Sequence, residues 1–138
     1  MKILGLDMGT KRIGAAVSDQ LGVIAQALTT IKRRAMRDDI KAVCELVREH
    51  KVQEIVIGYP RHLDGRPGEQ AASYIAFGEM LQQETGVPVI FSDERLTTVA
   101  AERLLLEGDV KRRRRRQVID GVAACLILES YLARRQGN

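Results

Sequence analysis

Aromatic residues are scarce in this chain: three tyrosines, two phenylalanines and no tryptophan among 138 residues. A base-stacking platform of the RRM or OB type needs several exposed rings, so the composition argues against that mode of nucleic-acid binding. Cysteine and histidine are as rare, at two each. Cys44 and Cys125 lie far apart within apolar helical patterns, without metal-knuckle or redox spacing, and read as free buried thiols. His50 and His62 share no ligand spacing, which argues against a zinc site. No uninterrupted apolar run approaches the ~20 residues that cross a bilayer. The opening MKILGLDMGT brings an acid almost at once and lacks the apolar core and cleavage site of a signal peptide. The expectation is a soluble cytoplasmic protein with no membrane partner.

What is present is a chain with 45 % apolar residues, enough for one packed core and one domain over residues 1–138. Charge is unevenly spread. Residues 1–110 carry a net −2, whereas residues 111–138 carry +6, most of it in KRRRRR. Six adjacent like charges repel, and a polyanionic partner relieves that cost. Lys111, Arg112, Arg113, Arg114, Arg115 and Arg116 are therefore candidate phosphate-binding residues, against the plainer reading of a solvated loop.

Residues 2–8, KILGLDM, read as a strand with Ile3, Gly5, Asp7 and Gly9 on one face. The turn GTKR, then IGAAVSD and GVIAQALTTI, predict an antiparallel three-strand meander. A helix over 36–50 follows, with Ile40, Val43, Cys44 and Val47 on its apolar stripe. EIVIGYP predicts a short buried strand, and RHLDGRPGE a loop. A helix over about 69–84 carries Ala71, Tyr74, Ile75, Gly78 and Leu81 on one stripe, closed by Gly86. VPVIFSD is the fifth strand, VAAERLLLE a third helix capped by Thr97 or Thr98, and a last helix spans about 117–135. Strands reached through helical crossovers lie parallel to the first. The expected architecture is a five-stranded mixed α/β sheet, a meander plus two parallel strands, flanked by helices.

Four acids fall where such a sheet can bring them together. Asp7 lies near the end of the first strand, Asp93 and Glu94 where the fifth gives way to loop, and Asp120 in an early turn of the last helix. Strand ends are where open α/β sheets place their sites. Gly121, Ala123 and Ala124 let the last helix approach the sheet closely. Acids desolvated together repel at a cost of several kcal/mol each, which hard dications such as Mg²⁺ relieve. A pair of such ions ~4 Å apart serves phosphodiester hydrolysis. Plainer roles exist for each: a hairpin hydrogen-bond acceptor for Asp7, a helix cap for Asp93 or Glu94, a favourable helix-dipole position for Asp120.

These residues carry a resemblance. LGLDMGTKRIGAAVSD, IVIGYPRHLDGRPGEQA, SDERLTTVAAE and VIDGVAACLILESYL, in this order over nearly the whole length, resemble the YqgF (RuvX) family of the ribonuclease H-like fold. In the related RuvC-like nucleases, acids at the first strand, a middle strand end and the last helix bind Mg²⁺. The resemblance implies Asp7, Glu94 (or Asp93) and Asp120 as catalytic metal ligands for Mg²⁺, with Mn²⁺ as an alternative. Lys11, Arg12 and Arg95, with the arginine run, are the implied nucleic-acid contacts. DMGTKRIG also resembles the first phosphate motif of the actin-like kinases. Those enclose nucleotide between two lobes, whereas 138 residues make one, and the pattern GxxxxGK[ST] is absent.

The resemblance implies a Mg²⁺-dependent nuclease acting in 5′-end processing of precursor 16S rRNA during ribosome biogenesis. A Holliday junction resolvase-like DNA endonuclease is the alternative, and a non-catalytic nucleic-acid-binding protein the third reading. Junction resolution needs paired sites in a symmetric dimer. No extended apolar face is evident in the sequence, so the expectation is a monomer or weak homodimer.

Overall fold

The computed structural model describes residues 1–59, 71–93 and 112–136. Five strands, β1 (Ile3–Met8), β2 (Arg12–Ser18), β3 (Ala25–Lys32), β4 (Glu54–Tyr59) and β5 (Val89–Asp93), form one sheet in the order β3-β2-β1-β4-β5. β1 to β3 make the expected antiparallel meander, and β4 lies parallel to both β1 and β5. The described helices are α1 (Met36–His50), α2 (Ala71–Thr85) and α3 (Arg112–Gln136). The loop predicted over RHLDGRPGE and the helix predicted over VAAERLLLE lie outside the described residues.

Strand alternation sorts the core into two layers. Leu4, Leu6, Met8, Ile13, Ala15 and Val17 turn to one face and pack with Ile40, Val43 and Val47 of α1 and Tyr74, Phe77 and Leu81 of α2. Ile3, Ala16 and Val56 turn to the other and pack with Ala124, Ile127, Leu128 and Leu132 of α3. The stripe of α2 differs from the expected one, because Ile75 is 42 % exposed while Phe77 is fully buried. Spacing of three and four through 74, 77 and 81 keeps the ring on the core side. Gly86 closes α2 as expected, at φ +71° with its N–H donating to the Gln82 carbonyl. Cys44 and Cys125 are free thiols, half-buried rather than buried, and desolvation pushes both above the usual thiol range.

α3 begins at Arg112, not near residue 117, so Arg112–Arg116 form its first turns instead of a loop. Arginine is among the better helix formers, and its propensity carries the backbone ladder through the charged run. The helix crosses the sheet obliquely. A Cβ on Gly121 would meet Ala27 of β3 at 3.7 Å, and one on Gly5 of β1 would meet Leu128 Cβ at 3.0 Å and the Ala124 carbonyl oxygen at 3.2 Å. At its far end the Tyr131 hydroxyl donates to the Glu54 carboxylate of β4, to which Arg135 adds a 3.0 Å ion pair. Burial and that carboxylate push the Tyr131 phenol up.

Helix and sheet thus approach closely at Gly5, and no side chain fits there without displacement. Gly5→Ala is expected to destabilise the fold by about 1–3 kcal/mol through overpacking. The measurement is a lower urea midpoint with an unchanged slope; an unchanged midpoint would show that α3 lifts without cost.

Candidate active site

Asp7 is carried by the central strand, on the face shared with Gly5 and α3. Register places it opposite Gly14 of β2 and beside Gly58 of β4, which in turn lies beside Ser92 of β5. The row Gly14–Asp7–Gly58–Ser92 thus has no bulky side chain next to the acid on either neighbouring strand. Asp7 is 9 % exposed, so its carboxylate sits at the rim of the core. The Asp7 carboxylate, an oxygen donor with small lateral neighbours, is the type of ligand that a hard dication takes.

Asp93 ends β5, beside Tyr59 and one residue beyond Ser92. Parallel β1, β4 and β5 thus finish together, and positions 7 and 93 occupy neighbouring levels of one sheet edge. Position 120 lies in α3 one turn before Ala124, the residue whose carbonyl covers Gly5. Further along α3, Ile127 is buried in the core and Arg134 Nη2 donates to Ser92 Oγ at 3.1 Å. Glu94, Arg95 and Lys111 lie outside the described residues. Among the described residues, no three His, Cys, Asp or Glu side chains form a metal-binding group.

Several residues near the site were not singled out from the sequence. Asp39, in the first turn of α1, is 1 % exposed and accepts from the Arg34 N–H at 3.0 Å and Arg33 Nε at 3.4 Å. Arg33 also donates through Nη1 to the Gly9 carbonyl at 2.9 Å, and its guanidinium lies 5.9 Å from the Tyr74 ring centre. The Arg33 N–H donates to the Lys11 carbonyl, and the Gly9 N–H to the Arg12 carbonyl. The β1–β2 hairpin carrying Lys11 and Arg12 is thereby tied to α1 through one arginine. The sequence signal is the basic triplet KRR followed by paired acids at the helix start, IKRRAMRDD.

A sequence profile for RuvX, described as Holliday junction resolvase, matches residues 1–134. The chain belongs to the RuvX family. Among its relatives, a protein of Moorella thermoacetica named "Putative pre-16S rRNA nuclease" is 59 % identical over 138 residues, covering 100 % of this chain and 99 % of the relative. A protein of the same name from Carboxydothermus hydrogenoformans is 47 % identical and matches both chains over 100 % of their length. Among solved structures, Thermus thermophilus RuvC in complex with a Holliday junction superposes with a TM-score of 0.62 at 17 % identity, covering 99 % of this chain and 97 % of that one. That likeness establishes the fold: the sheet and helices of this RuvX-family chain are those of the ribonuclease H-like RuvC. Among the described residues no helix is long and apolar enough to cross a membrane.

Proposed function

We propose that this chain is a cytoplasmic, Mg²⁺-dependent nuclease that processes the 5′ end of precursor 16S rRNA during ribosome biogenesis. The observation that carries the reading is the buried Asp7 in the glycine-flanked row of parallel strand ends. Relatives that match this chain over its whole length and bear a pre-16S rRNA nuclease name support the substrate.

Asp7, Glu94 or Asp93, and Asp120 would hold the ion. A bound dication supplies Lewis-acid stabilisation of the phosphoryl oxygens and lowers the pKa of water. The carboxylates fix its position against the substrate, and the slight exposure of Asp7 limits access of bulk water. Lys11, Arg12, Arg95 and the arginine run hold backbone phosphates and align the scissile bond.

Incubation of the purified protein with precursor 16S rRNA and, separately, with a four-way DNA junction, each with Mg²⁺, tests the reading. Trimming of the RNA supports it. Cleavage of the junction alone supports the resolvase alternative, which the description of the matching family favours. The middle ligand is tested by a pair of variants. If Glu94 holds the ion, Glu94→Gln lowers the single-turnover rate more than Asp93→Asn does, and the reverse ranking exchanges the roles.

A further inference from the structure

Next to the Asp7 row lies a groove of about 640 Å³ lined by Thr10, Lys11, Arg12, Thr30, Lys32 and Arg33. Four of its six residues are cationic, and the other two carry hydroxyls. Arg12 of β2 and Lys32 of β3 are paired in register, and Thr30 pairs with Gly14, the residue opposite Asp7. Paired residues share a face, so Thr30 stands in the Asp7 row about 10 Å away, two strand spacings across. Arg12 and Lys32 stand two residues further along on that same face.

The four cations divide into two kinds. Arg33 is committed to the fold through Gly9 and Asp39. Among the described residues, no ion pair or side-chain hydrogen bond engages Lys11, Arg12 or Lys32. The cradle is thus anchored from below by one arginine and presents three unneutralised charges above. Those charges repel one another, and an anion lying along the groove offsets the repulsion. From Gly121, which faces Ala27 of β3, α3 extends back to residues 112–116 over roughly 8–14 Å at 1.5 Å per residue.

We propose that this groove binds an RNA strand one or more nucleotides from the phosphate at Asp7, with Lys32 and Arg12 on its backbone and Thr30 on a ribose 2′-hydroxyl. This rests on the nuclease reading for the location of the scissile bond. A hydroxyl both donates and accepts, as does the 2′-OH that separates RNA from DNA. Thr10 and Thr30 supply such groups beside the cations. The distance from Asp7 assigns the groove to holding the strand, not to the reacting phosphate.

The test is equilibrium binding of a single-stranded RNA oligonucleotide, and of DNA of the same sequence, to Asp7→Asn protein across a salt series. Lys32→Gln and Arg12→Gln are each expected to lower the slope of log affinity against log salt by ~0.7 for both strands. Thr30→Val is expected to keep the slope and abolish the preference for RNA over DNA. Lys32 is exposed, so its variant is expected to fold; circular dichroism checks it. Unchanged slopes in both charge variants overturn the groove, even where the protein cleaves RNA. Equal binding of RNA and DNA by the protein with Thr30 intact overturns the 2′-hydroxyl assignment. Absence of cleavage by the unmodified protein, with the slopes behaving as stated, overturns the nuclease reading and leaves the groove standing.

Discussion

An Asp7→Asn variant is expected to fold, bind nucleic acid and fail to cut it. Asparagine keeps the shape of the side chain in a row where both lateral neighbours are glycines, so packing is preserved. It removes the negative charge that would hold a dication. Lewis-acid stabilisation of several kcal/mol corresponds to a rate loss of roughly 10²–10⁴-fold. With the ion absent, the proposed ligands Asp7, Glu94 or Asp93, and Asp120 repel one another, and the variant removes one of those charges. Its Tm without Mg²⁺ is therefore expected to equal or exceed that of the parent, and the rise in Tm on adding Mg²⁺ is expected to shrink. Full hydrolytic activity in purified Asp7→Asn protein would remove Asp7 from the chemistry. A large fall in Tm would assign it instead to holding the hairpin.

Replacing Arg112 to Arg116 with serine is expected to weaken substrate binding far more than chemistry. These residues form the first turns of α3, where the helix dipole disfavours positive charge by about 0.3–1 kcal/mol per exposed group. Serine has lower helix propensity by roughly 0.5 kcal/mol per residue. The two effects oppose each other, so stability is expected to change little. Binding is different. Loss of three phosphate contacts lowers the slope of log affinity against log salt by roughly two. The rate at saturating substrate is expected to fall much less, because the run is assigned to holding the strand. An unchanged slope would show the run to be a solvated helix end. A collapsed saturating rate with a normal slope would put one of these arginines at the reacting phosphate.

The strands and α1 were legible because their signals are local. Alternation in KILGLDM set the face shared by Gly5 and Asp7, and the stripe Ile40, Val43, Val47 set the buried side of α1. The placement of Asp7 followed from those signals. The start of α3 did not, because a run of like charge carries helix propensity and loop-like polarity at once. Phe77 replaced Ile75 in the core because both fit a helical stripe anchored at Tyr74, and tertiary packing chose between them. The pattern IKRRAMRDD signals Asp39, Lys32 and Arg33 without fixing their partners. Their roles depend on the register Arg12↔Lys32, set across a strand pair with a shift at Ala15/Ala16, and on the angle at which α1 leaves β3.

On the proposed metal reading, the approach of Gly5 to Ala124 bears on ion selectivity. It sits two residues from Asp7 in the strand and four from position 120 in the helix, so it acts as a fulcrum between two proposed ligands. Mg²⁺ requires near-ideal octahedral geometry at about 2.0–2.1 Å, whereas Ca²⁺ accepts about 2.3–2.6 Å and looser arrangements. A methyl group wedged at Gly5 would shift the helix by a few tenths of an ångström, the same scale as the difference between the two ions. Discrimination between magnesium and calcium would then be set by the absence of one carbon atom in the core, at a position that touches neither ion.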